Sequence, residues 1–465
     1  MSSISEKDYE EQVALKTVNV FFNTFNLSKT LKSAGIYRVR GVAVTVIIKY
    51  LVSLVYLGKT MHQDFLSKHP VASGFKKDSV YRLINRSNIN WDKFLITTAS
   101  KVAKFFNSLT EENRMSALIV DDTVFERPHS KNMELSSRIH DHASTGKRFK
   151  VGFRTLMLGF TDGCSFVPIL FRHIASSDKK NRYCEMNTNV DKRTSGGRIR
   201  KEALMKATDI LLLMLKSAKQ YAIPAKHVLF DCWFAHAKTI IEIDKLGFKV
   251  ACRVKKSSKV NYIHEDEKKN VKQIFKSSKK RPGRSKYLLS TQILIYNKDG
   301  EKRNARLVFI RDRSNRKNWI ALLCTDMELS EEEIIALYGK RWDIEVFFKV
   351  CKSYLKFTGE FQQLSYDAVT AHTAIVMIRY MMLVYEKRKA DDPRSLGEIF
   401  LLCFDEMSDL KLENAMLIIA AVLTNVLKHP FLSLTGEQID FIMSEFMFGI
   451  PAHLRRCLIP DSTSR

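Results

Sequence analysis

A chain of 465 residues with 45% hydrophobic residues is too long for one simple core and too apolar to be disordered, so two to four domains are expected. Lys and Arg number 76 against 50 Asp and Glu, and a net charge of +26 on a folded chain of this size points to a polyanion, nucleic acid above all. The eight cysteines form no Cys-x-x-Cys pair and the twelve histidines no His-Glu-x-x-His cluster, which favours buried free thiols over a zinc site or a disulfide framework. The polar, acidic start (2–11) is unlike a secretory signal. The most apolar runs (42–58 and 415–427) are broken by Lys49 or too short to span a bilayer, so a cytoplasmic protein with no membrane role is expected.

Residues 1–105 place apolar side chains at three- and four-residue spacing and are expected to be helical throughout, with DNA contact assigned to this region. Within them, Phe75-Lys76-Lys77-Asp78-Ser79-Val80-Tyr81-Arg82-Leu83-Ile84-Asn85-Arg86 suggests a short helix with basic flanks, capped by Asp78 or Ser79. A major groove accepts such a helix, and many surface helices share the pattern. From Ser116 the character changes. Ala117-Leu118-Ile119-Val120 has the look of a buried strand ending in Asp121-Asp122-Thr123, at the kind of edge where α/β sheets hold ligands. Strands over 149–160 and 166–171 meet at the turn Thr161-Asp162-Gly163. A polar, mobile loop over 175–200 and a helix over 201–220 follow. The earlier junction then recurs: His227-Val228-Leu229-Phe230 runs into Asp231, and after a helix comes a strand over 249–252.

Between 253 and 317 there are 21 Lys or Arg against 6 acids, a basic β-rich insertion. Its strands over 287–296 and 305–311 flank the turn Asn297-Lys298-Asp299-Gly300, while 268–286 has the composition of a disordered basic loop. A strand over 319–325 leads to a helix opened by Ser330-Glu331-Glu332-Glu333, a hydroxyl cap with acids in the first turn. On one continuous helix Tyr338, Arg341, Glu345 and Lys352 fall within a sector of about 60°, beside an apolar stripe of Ile344, Phe347, Phe348, Cys351 and Leu355. Residues 366–388 and 394–444 are helical and Met-rich, more a helical core than an interaction surface. The expected architecture is α/β: a mixed sheet with a β-rich insertion, flanked by N- and C-terminal helical regions. Its parts are a helical region over 1–105, a core over 106–252 and 318–360, the insertion over 253–317, and a C-terminal helical region over 361–465 with a possible part in dimerisation.

Asp121, Asp231 and Glu345 come from three different elements. Three convergent carboxylates hold two divalent cations about 4 Å apart, flanking a scissile phosphate. An all-oxygen set suits Mg²⁺, with Mn²⁺ as a substitute. One ion activates the attacking water or 3′-hydroxyl and the other stabilises the leaving oxygen.

These residues resemble the DDE transposases of bacterial insertion sequences, specifically the insertion-sequence-four family. Its signature, Tyr-x2-Arg-x3-Glu-x6-Lys, is matched by Tyr338, Arg341, Glu345 and Lys352. The Asp-x-Thr pattern at Asp121 and Thr123, the strand end at Asp231 and the insertion occur in the same order, so the resemblance spans about residues 115–355. It implies an RNase H-like core with Asp121, Asp231 and Glu345 as the catalytic, metal-holding triad. Tyr338, Arg341 and Lys352 would hold the DNA backbone near the cleaved end, and Trp319 would stack on a flipped base, with an ordinary core tryptophan as the equal alternative. Such enzymes bind the inverted repeats of their element as a homodimer on double-stranded DNA. They nick one strand, close a hairpin with the free 3′-hydroxyl, reopen it and join the end to target DNA. Asp-x-Thr favours Asp121 over the adjacent Asp122 as first ligand, and Asp343, with no motif match, is expected to pair locally. Two other readings stay open: a DNA-binding repressor or architectural protein with a vestigial core, and a metal-dependent endonuclease that cuts without joining.

Overall fold

A computed structural model of the chain describes residues 16–58, 60–67, 74–110, 114–141, 148–281, 285–312, 315, 318–359 and 363–389, and parts of 395–449. Six N-terminal helices come first: α1 (Lys16–Thr24), α2 (Leu27–Ser33), α3 (Val44–Ser53), α4 (Met61–Leu66), α5 (Lys77–Ile84) and α6 (Trp91–Ser108). The helical expectation holds for the described part of this region. Neither Asp78 nor Ser79 caps α5, however; the cap position is Lys76, whose side chain makes no cap hydrogen bond.

The core strands are β1 (Ala117–Glu126), β2 (Ser137–His140), β3 (Phe149–Thr161), β4 (Phe166–Ile174), β5 (His227–Phe230) and β6 (Lys249–Arg253). They lie in the order β4-β3-β1-β5-β6, with β2 beside the first residues of β3 on the β4 edge, β3 antiparallel to β1, β2 and β4, and β1, β5 and β6 parallel. This is the RNase H-like arrangement that the resemblance implies. Every residue of β5 and the first four of β1 are buried, as strands covered on both faces must be.

Two helices connect β4 to β5: α7 (Ser195–Glu202) and α8 (Ala207–Gln220). Part of the expected mobile loop is therefore helix. Gly196 and Gly197 are buried in α7, and a Cβ on Gly196 would stand 2.4 Å from Asp367 Oδ1 and within 3 Å of Ser87. These glycines permit a close approach, where composition alone suggests a flexible link.

A single helix, α9 (Ala237–Lys245), joins β5 to β6. The insertion then adds β7 (Asn261–His264), β8 (Glu267–Asn270), α10 (Val271–Ser277), β9 (Leu289–Tyr296) and β10 (Lys302–Arg311), before β11 (Trp319–Cys324). Here 268–281 of the expected disordered loop is ordered. It holds the end of β8 and then α10, opened by a capping box in which Asn270 and Gln273 satisfy each other's backbone N–H groups. Because β11 pairs with both β6 and β10, the insertion strands continue the core sheet instead of forming a separate one.

The signature helix is broken in two, α11 (Glu331–Gly339) and α12 (Trp342–Ser353). Ser330 and Glu333 form the expected capping box. At the junction the backbone bonds tighten to three-residue spacing, Lys340 to Leu337, Arg341 to Tyr338 and Asp343 to Lys340, so Tyr338 is rotated relative to the residues that follow.

The next helix, α13 (Tyr366–Lys389), ahead of a further described helix, α14 (Gly436–Gly449), is buried at every position from Tyr366 to Tyr385. It is long and apolar enough to cross a membrane, but its apolar window lies wholly inside the protein. Its charged groups are satisfied there: Arg379 donates to the carbonyls of Leu51, Val52 and Leu355, and Asp367 accepts from Arg200. The core reading of 366–388 is therefore right. Most of 394–418, the apolar run at 415–427 and residues 1–15 lie largely or wholly outside the described residues. The six described cysteines are free; Cys252, Cys324 and Cys351 are buried, whereas Cys164 is exposed.

Candidate active site

The β1–β5 ladder aligns Val120 with Phe230, so Asp121 and Asp231 follow side by side on strands about 4.8 Å apart. Asp121 is not at the end of its own strand, as Ala117-Leu118-Ile119-Val120 suggests. β1 runs on to Glu126 against β3, while β5 stops at Phe230. The carboxylates emerge where the parallel ladder ends. The two strands part there and open a cleft of about 540 Å³ lined by Asp121, Thr123, Asp231, Trp233, Arg154 and Lys352, among others.

Burial raises the pKa of Asp121 to about 6. The Asp122 N–H (2.9 Å) and Arg341 oppose that shift, while the charges of Asp122 and Glu345 add to it. Asp122 instead meets Arg154 Nε at 2.6 Å. Asp231 accepts from the Cys232 N–H at 2.7 Å, and no cation among the described residues pairs with it.

Arg341 bridges Asp121 and Glu345. Its Nη1 lies 3.2 Å from Asp121 Oδ2, and its Nη2 lies 2.5 Å from Glu345 Oε1 on α12. Desolvation works against this guanidinium, but Tyr338, Glu345 and Asp121 hold its pKa above the ordinary value. Lys352 Nζ donates to Thr123 Oγ1 at 2.6 Å. Thr123 stands two residues beyond Asp121 and so on the same face of β1. Burial of the Lys352 ammonium, and then Lys150 nearby, lowers its pKa. Burial raises that of the Tyr338 phenol, with Arg341 opposing and Asp231 reinforcing the shift.

The remaining predicted residues lie elsewhere. Trp319 is not part of the cleft lining. It stacks on Phe275 with centroids 4.7 Å apart, meets Phe309 edge-on at 5.2 Å, and carries Lys256 Nζ 4.0 Å above its ring. Asp343 does not pair locally: its Oδ2 accepts from Thr161 Oγ1 at 2.7 Å, across to the end of β3. Sequence reasoning missed the cleft residues Lys150 and Arg154, which need the β1–β3 register to be placed, and Trp233, which is 49% exposed two residues after Asp231.

Among the described residues, no three His, Cys, Asp or Glu side chains stand close enough to hold an ion. The donor set nevertheless fits a hard divalent cation in kind. It is all carboxylate, and two members leave adjoining strands at the end of one parallel ladder.

A family model described as the transposase DDE domain matches residues 112–382, more than half of the chain and inclusive of all three carboxylates. No curated protein matches the chain.

Proposed function

The chain belongs to the transposase DDE-domain family, and we propose that within it the protein is the cut-and-paste transposase of a bacterial insertion sequence, of the insertion-sequence-four kind. The observation that carries this reading is the in-register emergence of Asp121 and Asp231, with Glu345 linked to Asp121 through Arg341. Asp121, Asp231 and Glu345 would hold two Mg²⁺ ions, or Mn²⁺, which supply charge neutralisation for in-line displacement at phosphorus.

The protein's own groups do the rest. Arg341 and Lys352 bind the backbone phosphates of the DNA end, and Tyr338 lies along the strand beside them. Thr123 orients the Lys352 ammonium, and Arg154 keeps Asp122 turned from the triad. Trp319, on the last insertion strand, takes a flipped base by parting from Lys256. Helices of 1–105 bind the terminal inverted repeats. Two copies act together on double-stranded DNA in the cytoplasm, at the nucleoid. The free 3′-hydroxyl left by nicking closes a hairpin, which is reopened and transferred to target DNA.

The test is incubation of the protein with Mg²⁺ and labelled inverted-repeat DNA. Hairpin and joined products are expected. Simple hydrolysis would leave an endonuclease that does not join, and binding without cleavage would leave a repressor or architectural protein.

A further inference from the structure

Four arginines are buried among the described residues: Arg127, Arg172, Arg200 and Arg379. A guanidinium keeps its proton inside a protein, so each must be met by acceptors or carry the full cost of leaving water. Three are met. Arg172 pairs with Asp92 and Glu202, Arg200 with Glu134 and Asp367, and Arg379 donates to three backbone carbonyls. Arg127 differs. It is 9% exposed, its Nε is buried without a hydrogen-bond partner, and among the described residues its side chain makes no ion pair. Desolvation lowers its pKa. Its guanidinium lies 5.4 Å from the centre of the Phe125 ring, a contact that offsets only part of the lost hydration.

Arg127 follows directly on β1, with its backbone held on both sides. Its N–H donates to the Val151 carbonyl at 2.8 Å, and its own carbonyl accepts from the Ser130 N–H at 3.1 Å. The side chain lines an open cleft of about 1100 Å³ together with Lys131, which is exposed. The acid in that lining, Glu126, is engaged by Lys150 Nζ at 3.1 Å. Glu126 and Thr358 also line the cleft that holds Asp121 and Asp231, so the two clefts adjoin. Asp121, Thr123, Phe125 and Arg127 alternate onto one face of the chain, with Lys352 on Thr123 and Phe357 edge-on to Phe125. Arg127 thus stands about 20 Å along the strand direction from Asp121, less than the roughly 34 Å of one turn of duplex.

We infer that Arg127, with Lys131 beside it, is a seat for one phosphate group, and that the group it takes is a backbone phosphate of the DNA bound at the triad, within one helical turn of the bond that is cut. The inference rests on the transposase reading and adds to it a contact outside the signature residues. A phosphodiester brings the single negative charge and the paired oxygens that a lone guanidinium lacks. Such a contact fixes the register of the strand without reading its sequence.

The test compares the full-length protein with Arg127→Met, which keeps an apolar stem against Phe125 and removes the charge. On labelled inverted-repeat duplexes, one lost phosphate contact makes the log–log salt slope of binding shallower by about 0.9. In a set of duplexes each carrying one neutral methylphosphonate in place of a phosphate, wild type should weaken at a position within about ten nucleotides of the cleavage site to which Arg127→Met is indifferent. Without DNA and in phosphate-free buffer, Arg127→Met should melt no lower than wild type, since it loses an uncompensated charge. Added inorganic phosphate should then raise the melting temperature of wild type more than that of the variant. An unchanged slope, or a variant with the wild-type methylphosphonate profile, overturns the inference. So does an Arg127→Met protein that melts far below wild type, because the guanidinium would then be satisfied within the fold. Stabilisation by phosphate through Arg127 with no Arg127-dependent position in the duplex would make this a site for free phosphate and overturn the assignment to DNA. A wild type that binds no end duplex overturns the transposase reading itself, so the two failures are distinguishable.

Discussion

Two groups of acids and arginines in this protein have similar members and opposite electrostatics. In the core, Arg200 is held between Glu134 and Asp367, each at 2.7 Å, and all three are buried. Glu134 also accepts from the N–H groups of Tyr366 and Asn187. Against desolvation, these bonds and Arg200 hold its pKa below the ordinary carboxylate value. At the cleft, Arg341 meets Asp121 and Glu345, no cation among the described residues pairs with Asp231, and burial raises the pKa of Asp121 to about 6. The first group is complete within the folded chain. The second leaves a buried carboxylate whose ionisation is disfavoured, the mark of a group kept for chemistry rather than for stability.

The sharpest way to break this contrast is to remove its members. Asp121→Ala, Asp231→Ala and Glu345→Ala are each expected to lower DNA cleavage by more than about a thousandfold, at least ~4 kcal/mol, while binding to end DNA survives in a gel shift. Nicking retained by Glu345→Ala would sink the triad. Arg200→Ala should act on the fold instead. It leaves Glu134 and Asp367 buried and unpaired, which costs about 3–5 kcal/mol. Urea unfolding measures that cost; a loss below about 1 kcal/mol would contradict the account of a complete network.

The contrast was only partly legible in the sequence, for a physical reason. Asp121 and Asp231 follow apolar runs on their own strands, and Tyr338, Arg341, Glu345 and Lys352 share fifteen residues, so both signals are local. What surrounds them is not. Arg154 reaches Asp122 only because β3 lies against β1, and Asp343 reaches Thr161 from a distant part of the chain. Arg200 follows a Gly-Gly pair that looks like a loop, and nothing in its neighbours separates it from Arg82, yet one is buried between two acids and the other pairs with no acid among the described residues. The broken signature helix was missed because the backbone at Lys340 and Arg341 stays right-handed and changes only its hydrogen-bond spacing.

A smaller effect follows from the Asp121 pKa. The folded state raises it from 3.8 to about 6, so folding favours the protonated form. The associated stability is fully present below pH 3.8 and is lost as pH rises through about 6. Above that, the ionised carboxylate costs on the order of 3 kcal/mol at 1.36 kcal/mol per pKa unit. Asp121→Asn is therefore expected to stabilise the metal-free protein by up to about 3 kcal/mol near neutral pH and by little near pH 4. Thermal melts at the two pH values measure this, and equal shifts at both would contradict it. Glu134 has the opposite sign: its contribution is present above its ordinary pKa of 4.5 and lost as pH falls below that value.

The smallest expected effect, and the most discriminating, concerns Arg341 and Lys352. If each binds one phosphate, Arg341→Gln and Lys352→Gln should each make the salt slope of end binding shallower by about 0.9. The two then differ in a second respect. Lys352 rests on a neutral threonine hydroxyl, so its loss leaves the carboxylates as they were. Arg341 lies between Asp121 and Glu345, so if these carboxylates hold an ion as proposed, the guanidinium competes with it. Its removal should tighten Mn²⁺ binding to the DNA-free protein, read by the loss of the free-ion electron paramagnetic resonance signal, whereas Lys352→Gln should leave that binding unchanged. Equal Mn²⁺ affinity in both variants would mean that the guanidinium does not compete with the ion. Tighter binding in Arg341→Gln alone would mean that a phosphate drawing Arg341 away from its two carboxylates also clears the site for metal.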